Sequence, residues 1–207
     1  MTHRNSHWLT LAVCLSSILL CSACANLGLP QMAGTNQHAD DSVVRVYQDT
    51  IQLSGKISVR YEKDNKPQQL PGNFEWNQDG QHLQILLLSP LGQTLARITQ
   101  DDHRAILEQE GQAPRYAQNL DELLQNRLGW ALPVIGLRDW LQGFIRKADG
   151  KRVALSRVDQ KLDSDGWNIR YASWQTETTL PKRIELNRYT TEAGNISISI
   201  FIQAPSP

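Results

Sequence analysis

The sequence predicts a mainly β fold with some α: one antiparallel sheet carrying helices on one of its faces. Three observations predict it. Residues 53–108 alternate apolar and polar positions in short runs parted by turn residues. Residues 119–143 switch to helical spacing. From residue 153 to residue 202 the period-two pattern returns. A chain of 207 residues favours one folded domain.

The N-terminal segment stands outside this pattern. Leu9 to Leu20 is a mostly apolar 12-residue run that follows a start carrying Arg4 and no acid. A bilayer-spanning helix needs about 20 apolar residues, so the run is too short to span. A basic start, a short apolar run and small residues after it make a secretory signal. Cys24 follows Ser22 and Ala23, the small residues a lipoprotein signal wants before its cysteine. Cys14 follows Val13 and Cys21 follows Leu20, and neither fits. Cutting before Cys24 leaves 184 residues with Cys24 as the sole cysteine, so no disulfide is expected even in an oxidising compartment. A plain cleaved signal peptide is the alternative. Lipidation of Cys24 would anchor the body of the protein to a membrane. The next residue is Ala25, not the Asp that retains enterobacterial lipoproteins at the inner membrane, which points to the outer membrane. The expected organisation is a signal peptide over 1–23, the lipidated Cys24 with a flexible tether over 24–42, and a folded domain over 43–207.

Within the domain, Val43 to Tyr47 with Ile51 suggests a short leading helix. Leu53, Gly55, Ile57, Val59 and Tyr61 then alternate with polar residues as the first strand. Asp64-Asn65-Lys66-Pro67 is a turn signal. Leu70, Gly72, Phe74 and Trp76 mark the second strand, and Asn77-Gln78-Asp79-Gly80 the next turn, with Asp-Gly as its hairpin signal. Strands follow over 83–88, 94–99 and 104–108, with Asp101-Asp102 between the last two. Asn119 caps a helix, with Glu122 as its capping-box partner. Leu120, Leu123, Leu124 and Leu128 share one face of that helix, and Gly129 ends it. Residues 130–136 read as a Pro/Gly-broken connector. Leu137, Trp140 and Leu141 form a second short helix closed by Gly143. Strands return over 153–158, 167–174, 183–187 and 196–202, the last after a turn at Asn195. If the sheet curves strongly, these helices form a lid over an apolar hollow; the alternative is that they fill an ordinary core.

Composition and motifs exclude several functions. Twenty-one basic against 21 acidic residues give no basic stripe for nucleic acid. A mean hydropathy of −0.43 excludes a polytopic membrane protein. His38, His82 and His103 have no metal-like spacing, and no nucleotide loop or nucleophile elbow is present. No enzyme, metal or cofactor is expected. Asp101, Asp102, Asp121 and Glu122 sit where turns and caps need acids.

Ser89-Pro90-Leu91-Gly92 has type I turn chemistry: Ser first, Pro second, Gly last. That puts Leu91 on a tight tip between two strands, exposed either incidentally or as a residue that touches an acyl chain or a membrane.

These residues carry a resemblance. Ser-Ala-Cys24, Leu-Ser-Gly-Lys-Ile-Ser-Val-Arg over 53–60, Phe74-Glu-Trp76, Leu-Leu-Leu-Ser-Pro-Leu-Gly-Gln-Thr over 86–94, Leu-Arg-Asp-Trp-Leu-Gln-Gly over 137–143 and Leu-Pro-Lys-Arg-Ile-Glu-Leu over 180–186 run in order. Over about residues 45–203 the chain resembles the LolB family, outer-membrane receptors that accept lipoproteins from the periplasmic carrier LolA. The resemblance implies an unclosed antiparallel β-barrel with a helical lid over an apolar cavity. It implies an acceptor that takes acylated lipoproteins from a LolA-like carrier and inserts them into the outer membrane. Leu91, flanked by Pro90 and Gly92, falls on the family's exposed loop leucine, implicated in insertion; the carrier lacks that loop. The cavity would hold the client's acyl chains against Ile57, Val59, Phe74, Trp76, Leu83, Ile85, Leu87, Trp140, Ile169 and Ile198. The expected protein is a monomer, lipid-anchored at the periplasmic face of the outer membrane. Two other classes stay open: a structural or assembly lipoprotein with a solid core, and an envelope hydrolase.

Overall fold

The computed structural model describes residues 44–63, 66–128, 130 and 134–204. The signal segment, Cys24, the tether, Val43, Asp64-Asn65, Gly129 and residues 131–133 lie outside the described residues, as does the side chain of Leu128. Twelve strands and two helices follow in chain order. They are β1 (Thr50–Lys63), β2 (Lys66–Asp79), β3 (His82–Leu88), β4 (Thr94–Gln100), β5 (Ala105–Glu108), β6 (Arg115–Ala117), α1 (Leu120–Leu128), α2 (Val134–Trp140), β7 (Phe144–Arg146), β8 (Arg152–Ala154), β9 (Gln160–Ser164), β10 (Trp167–Trp174), β11 (Pro181–Thr190) and β12 (Gly194–Ile202).

Ten strands form one antiparallel sheet in the order β6-β5-β4-β3-β2-β1-β12-β11-β10-β9, and β7 pairs with β8 apart from it. The sheet is two meanders joined through β1, which pairs with β2 on one side and with the last strand on the other. Its outer strands, β6 and β9, do not pair with each other, so the barrel stays open. The chain between them carries both helices and the β7–β8 hairpin. The topology therefore requires the helical segment to travel from one edge of the curved sheet to the other.

Sheet curvature has local causes. Unpaired extra residues at Leu95 in β4, Ala172 in β10 and Lys182 in β11 bend those strands. Two glycines sit where strands approach closely: a Cβ on Gly55 would lie 2.0 Å from the Phe201 carbonyl oxygen, and one on Gly72 2.5 Å from that of Leu88. Gly55→Ala forces β1 and β12 apart. We expect it to cost about 3 kcal/mol of stability, at the upper end of overpacking effects, read as a lowered urea midpoint.

Inward positions follow period two. Leu53, Phe74, Trp76, Leu83, Ile85, Ile98, Ile169, Tyr171, Ile184, Leu186, Ile196 and Ile198 are buried on the concave side in one apolar cluster. Helix α1 begins as its sequence demands: Asn119 Oδ1 accepts from Glu122 N at 2.9 Å, and Glu122 Oε2 accepts from Gln118 N at 3.2 Å. Leu120, Leu123 and Leu124 point into the cluster. The carboxylate of Asp101 accepts from the backbone N–H of His103 and Arg104, and those bonds hold it below the usual carboxylate range.

Several expectations need correcting. The leading helix is absent: residues 44–48 are extended, with Arg45 and Tyr47 turned inward and Val44 and Val46 outward. The Arg45 side chain explains this, since it donates to the carbonyls of Thr179, Gly143 and Leu155, which a helix could not reach. The β1–β2 pairing continues to Lys63↔Lys66, so Lys66 and Pro67 are strand residues rather than turn. Pro67 and Pro71 are tolerated because β3 stops at Asn73↔Leu88, leaving β1 as the sole sheet partner there. Helix α2 starts at Val134, inside the expected connector, because Gly136 lets the Trp140 ring lie against the preceding turn. Asn195 pairs with Tyr189, and the turn falls on residues 191–193 instead. The strand expected over 153–158 shortens to β8, while β6, β7 and β9 are additional.

Candidate functional site

The ten residues expected to line an acyl-chain cavity come together, nine from the concave face of the sheet and Trp140 from α2. Phe74, Trp76, Leu83, Ile85, Trp140, Ile169 and Ile198 are buried in the main cluster, and Ile57, Val59 and Leu87 pack against it partly exposed. The register explains their meeting: Trp76 lies opposite Ile85 and Leu53, and Ile198 lies opposite Leu186 and Val59. The helical segment closes the space. Val134, Leu137 and Trp140 of α2, with Trp130 before it and Leu141 after it, are buried in the same cluster. Among the described residues, two shallow, open recesses lie at the sheet rim. One is lined by Thr50, Gln78, Asp79 and His82, the other by Arg188, Tyr189 and Asn195.

The exposed part of the concave face gathers at one end of the sheet. This end carries the β1–β2, β3–β4 and β11–β12 turns; Glu62 N donates to Ala193 O at 2.9 Å, tying two of them together. Here the inward positions Ile57, Val59, Tyr61 and Leu87 are only half-buried, and Leu70, which pairs with Val59, is 50% exposed. An exposed Leu70 departs from the inward, buried place its alternation suggests; β2 overhangs β3 there and no described residue covers it. The result is an apolar mouth spanning β1, β2 and β3. Tyr61 and Leu70 lie on the strand alternation, yet only Ile57, Val59 and Leu87 of this group were legible as site residues.

The β3–β4 loop stands beside that mouth. Gly92 N donates to Ser89 O at 2.9 Å, closing the turn, and Ser89 N donates to Gln93 O at 2.7 Å. Ser89 Oγ accepts from Leu91 N at 3.3 Å and from Gln93 N at 3.1 Å. Asn73 Nδ2 donates to Ser89 O at 3.1 Å and fixes the loop to β2. Gly92 has φ +86, which a side chain rarely adopts. So the loop is held by its own polar groups while its apolar residue points away: Leu91 is 90% exposed. No charged side chain occurs between residues 89 and 96.

The opposite end holds α2 in place. Arg138 donates through Nη1 and Nη2 to the carbonyls of Gly80 and Gln81, each at 2.8 Å, at the tip of the β2–β3 hairpin. Gln142 accepts from Gln48 N at 2.9 Å and donates to Gln48 O at 3.0 Å. Asp139, 1% exposed, accepts from Arg146 Nε at 2.6 Å and Arg152 Nε at 2.7 Å, which ties α2 to the β7–β8 hairpin. Tyr171 Oη donates to Trp140 O at 3.1 Å, and burial pushes its pKa up, so it keeps the proton it donates. Thus α2 is clamped at its C-terminal end, away from the mouth. Arg138→Ala should leave the fold intact, at a cost of about 1 kcal/mol for two exposed bonds. It should also speed amide exchange over 134–140 several-fold with little change in β10 or β12, as hydrogen exchange would show.

Among the described residues no group of three or more His, Cys, Asp or Glu side chains is placed to hold a metal, and no helix is long and apolar enough to cross a membrane.

Comparison with known proteins adds an independent line. The family model for outer membrane lipoprotein LolB matches residues 49–204. The chain is similar to the outer-membrane lipoprotein LolB of Cupriavidus taiwanensis, with 34% identity over 208 residues covering 94% of this chain and 96% of the relative. It is 37% identical over 166 residues to that of Ralstonia nicotianae, covering 75% of each chain. It is 32% identical over 188 residues to that of Nitrosococcus oceani, covering 86% and 90%.

Proposed function

The chain belongs to the LolB family of outer-membrane lipoproteins, and from that premise we propose that it accepts acylated lipoproteins from a LolA-like periplasmic carrier and inserts them into the outer membrane. The observation that carries this reading is the apolar mouth: inward-facing Ile57, Val59, Leu70 and Leu87 left partly uncovered beside a charge-free loop that ends in Leu91.

A water-exposed apolar mouth opening into an apolar interior suits a fatty-acyl chain. Each buried CH₂ contributes about 0.8 kcal/mol, with little discrimination between chains. Weak discrimination fits an acceptor with many clients. In the structure the helices fill the interior, so acceptance requires their mouth-side part to yield. The clamps of Arg138, Asp139 and Gln142 would keep the far end of α2 in register meanwhile. The chain has no nucleotide-binding motif to couple to, so transfer runs down an affinity gradient; tenfold tighter binding needs only about 1.4 kcal/mol. Cys24 anchors the acceptor at the periplasmic face of the outer membrane, and the protein acts as a monomer. A photoreactive residue at Ile57 tests the reading. It should crosslink to the acylated client in the presence of loaded carrier, whereas crosslinks from the convex-face position Lys56 alone would refute it.

A further inference from the structure

Trp167 is 0% and Trp130 3% exposed, and neither indole Nε1–H finds an acceptor among the described residues. The fold does satisfy other indoles: Trp174 Nε1 donates to Val158 O at 2.9 Å and Trp76 Nε1 to Gln78 Oε1 at 3.4 Å. A buried donor left unpaired is disfavoured, and such groups call for an explanation.

The two indoles are neighbours. Their ring centroids lie 6.2 Å apart, and Tyr61 lies 6.1 Å from Trp130. The Arg188 guanidinium sits 5.9 Å from the Trp167 ring. Tyr61 near the end of β1, Trp167 at the start of β10 and Arg188 near the end of β11 lie at the mouth end of the sheet, and Trp130, from the segment between the helices, packs against Tyr61 and Trp167. Indole and guanidinium groups donate and cannot accept. The matching ligand group therefore accepts without donating. An acyl ester carbonyl does this, and in a lipid inserted tail-first it is the atom set where the apolar chain ends.

We propose that Trp130 and Trp167 form a polar subsite at the mouth end of the apolar interior, where their indole N–H groups donate to the carbonyl oxygens of fatty-acyl esters. The inference rests on the acyl-acceptor reading above and adds what fixes the depth of the chain. Tails alone would slide in an apolar channel; paired carbonyls stop them at a defined position.

The test uses the mature chain carrying Cys24→Ala and three lipids of equal chain length: an S-dipalmitoylglyceryl peptide, its S-dihexadecylglyceryl ether analogue, and dipalmitoyl phosphatidylglycerol. The ester peptide should bind about tenfold more tightly than the ether peptide, which leaves both donors unpaired. Indole N–H resonances of Trp130 and Trp167 should move downfield with the ester and not with the ether. Trp130→Phe with Trp167→Phe should abolish the ester preference, so that ester and ether peptides bind equally; the resonance shifts in the unsubstituted chain stand even if that variant folds poorly. Phospholipid that shares the tight binding assigns the subsite to acyl esters in general, and weaker phospholipid binding assigns it to the client. Equal, measurable binding of ester and ether with unmoved resonances overturns the subsite alone. Binding of neither peptide overturns the acyl-acceptor reading as well.

Discussion

Leu91→Glu should leave acceptance of a client from the carrier unchanged and lower its insertion into outer-membrane lipid by tenfold to a hundredfold. The side chain is 90% exposed and belongs to no core contact, so stability should change by less than about 0.5 kcal/mol. The loop itself is held by Ser89, Asn73 and the turn hydrogen bonds, none of which uses the Leu91 side chain. What changes is the encounter with lipid. Burying a leucine side chain contributes about 1.5–3 kcal/mol, and a carboxylate in its place is disfavoured by a further few kcal/mol at depth. Even a shallow insertion thus loses at least about 1.4 kcal/mol, which is the tenfold limit. Client left bound to the soluble acceptor is the expected readout in a liposome flotation assay. Insertion at the unsubstituted rate would remove the loop from the mechanism.

Cys24→Ala should move the protein from the membrane fraction to the soluble fraction almost completely. Cys24 is the sole cysteine downstream of the signal segment, and the domain that follows carries 40% hydrophobic composition only as an average of the whole chain, with its apolar residues gathered on one sheet face. No described helix is long and apolar enough to cross a membrane, and on the proposed reading the acyl chains on Cys24 hold the protein at the membrane. Two acyl chains give stable anchoring, where one gives marginal binding. Loss of all of them leaves Leu91 and the mouth as the remaining lipid contacts, far too little for stable binding. The released protein should still accept clients, because Cys24 lies far in sequence from β1, which starts at Thr50. Membrane retention of the variant would place the anchor elsewhere.

Much of this architecture is legible along the chain. Strand β10 has the boundaries its alternation predicts, Trp167 to Trp174. The cap of α1 forms through the two side chains expected, Asn119 and Glu122. Nine of the ten expected site residues lie on strands and meet because, within each strand, one inward residue sets the facing of the rest; Trp140 joins them from α2. What escapes sequence reading is non-local. Arg45 holds an extended strap through carbonyls at Thr179, Gly143 and Leu155, distant in sequence, so local propensity alone suggests a helix there. Edge strands β6 and β9 are short and polar and carry no alternation strong enough to declare them. The Asp139 clamp depends on two arginines reached through a separate hairpin. The orphaned indole N–H groups are invisible until each possible acceptor has been placed.

Transfer between purified proteins tests the central claim most directly. A LolA-like carrier is loaded with an acylated lipoprotein, the domain from Ala25 onward is added without its lipid, and the protein that holds the client is identified by affinity separation. The account predicts that the client moves to this domain with no added energy source. A client that stays on a carrier shown to release it to another acceptor would contradict the account, and would favour a solid-cored structural lipoprotein in its place.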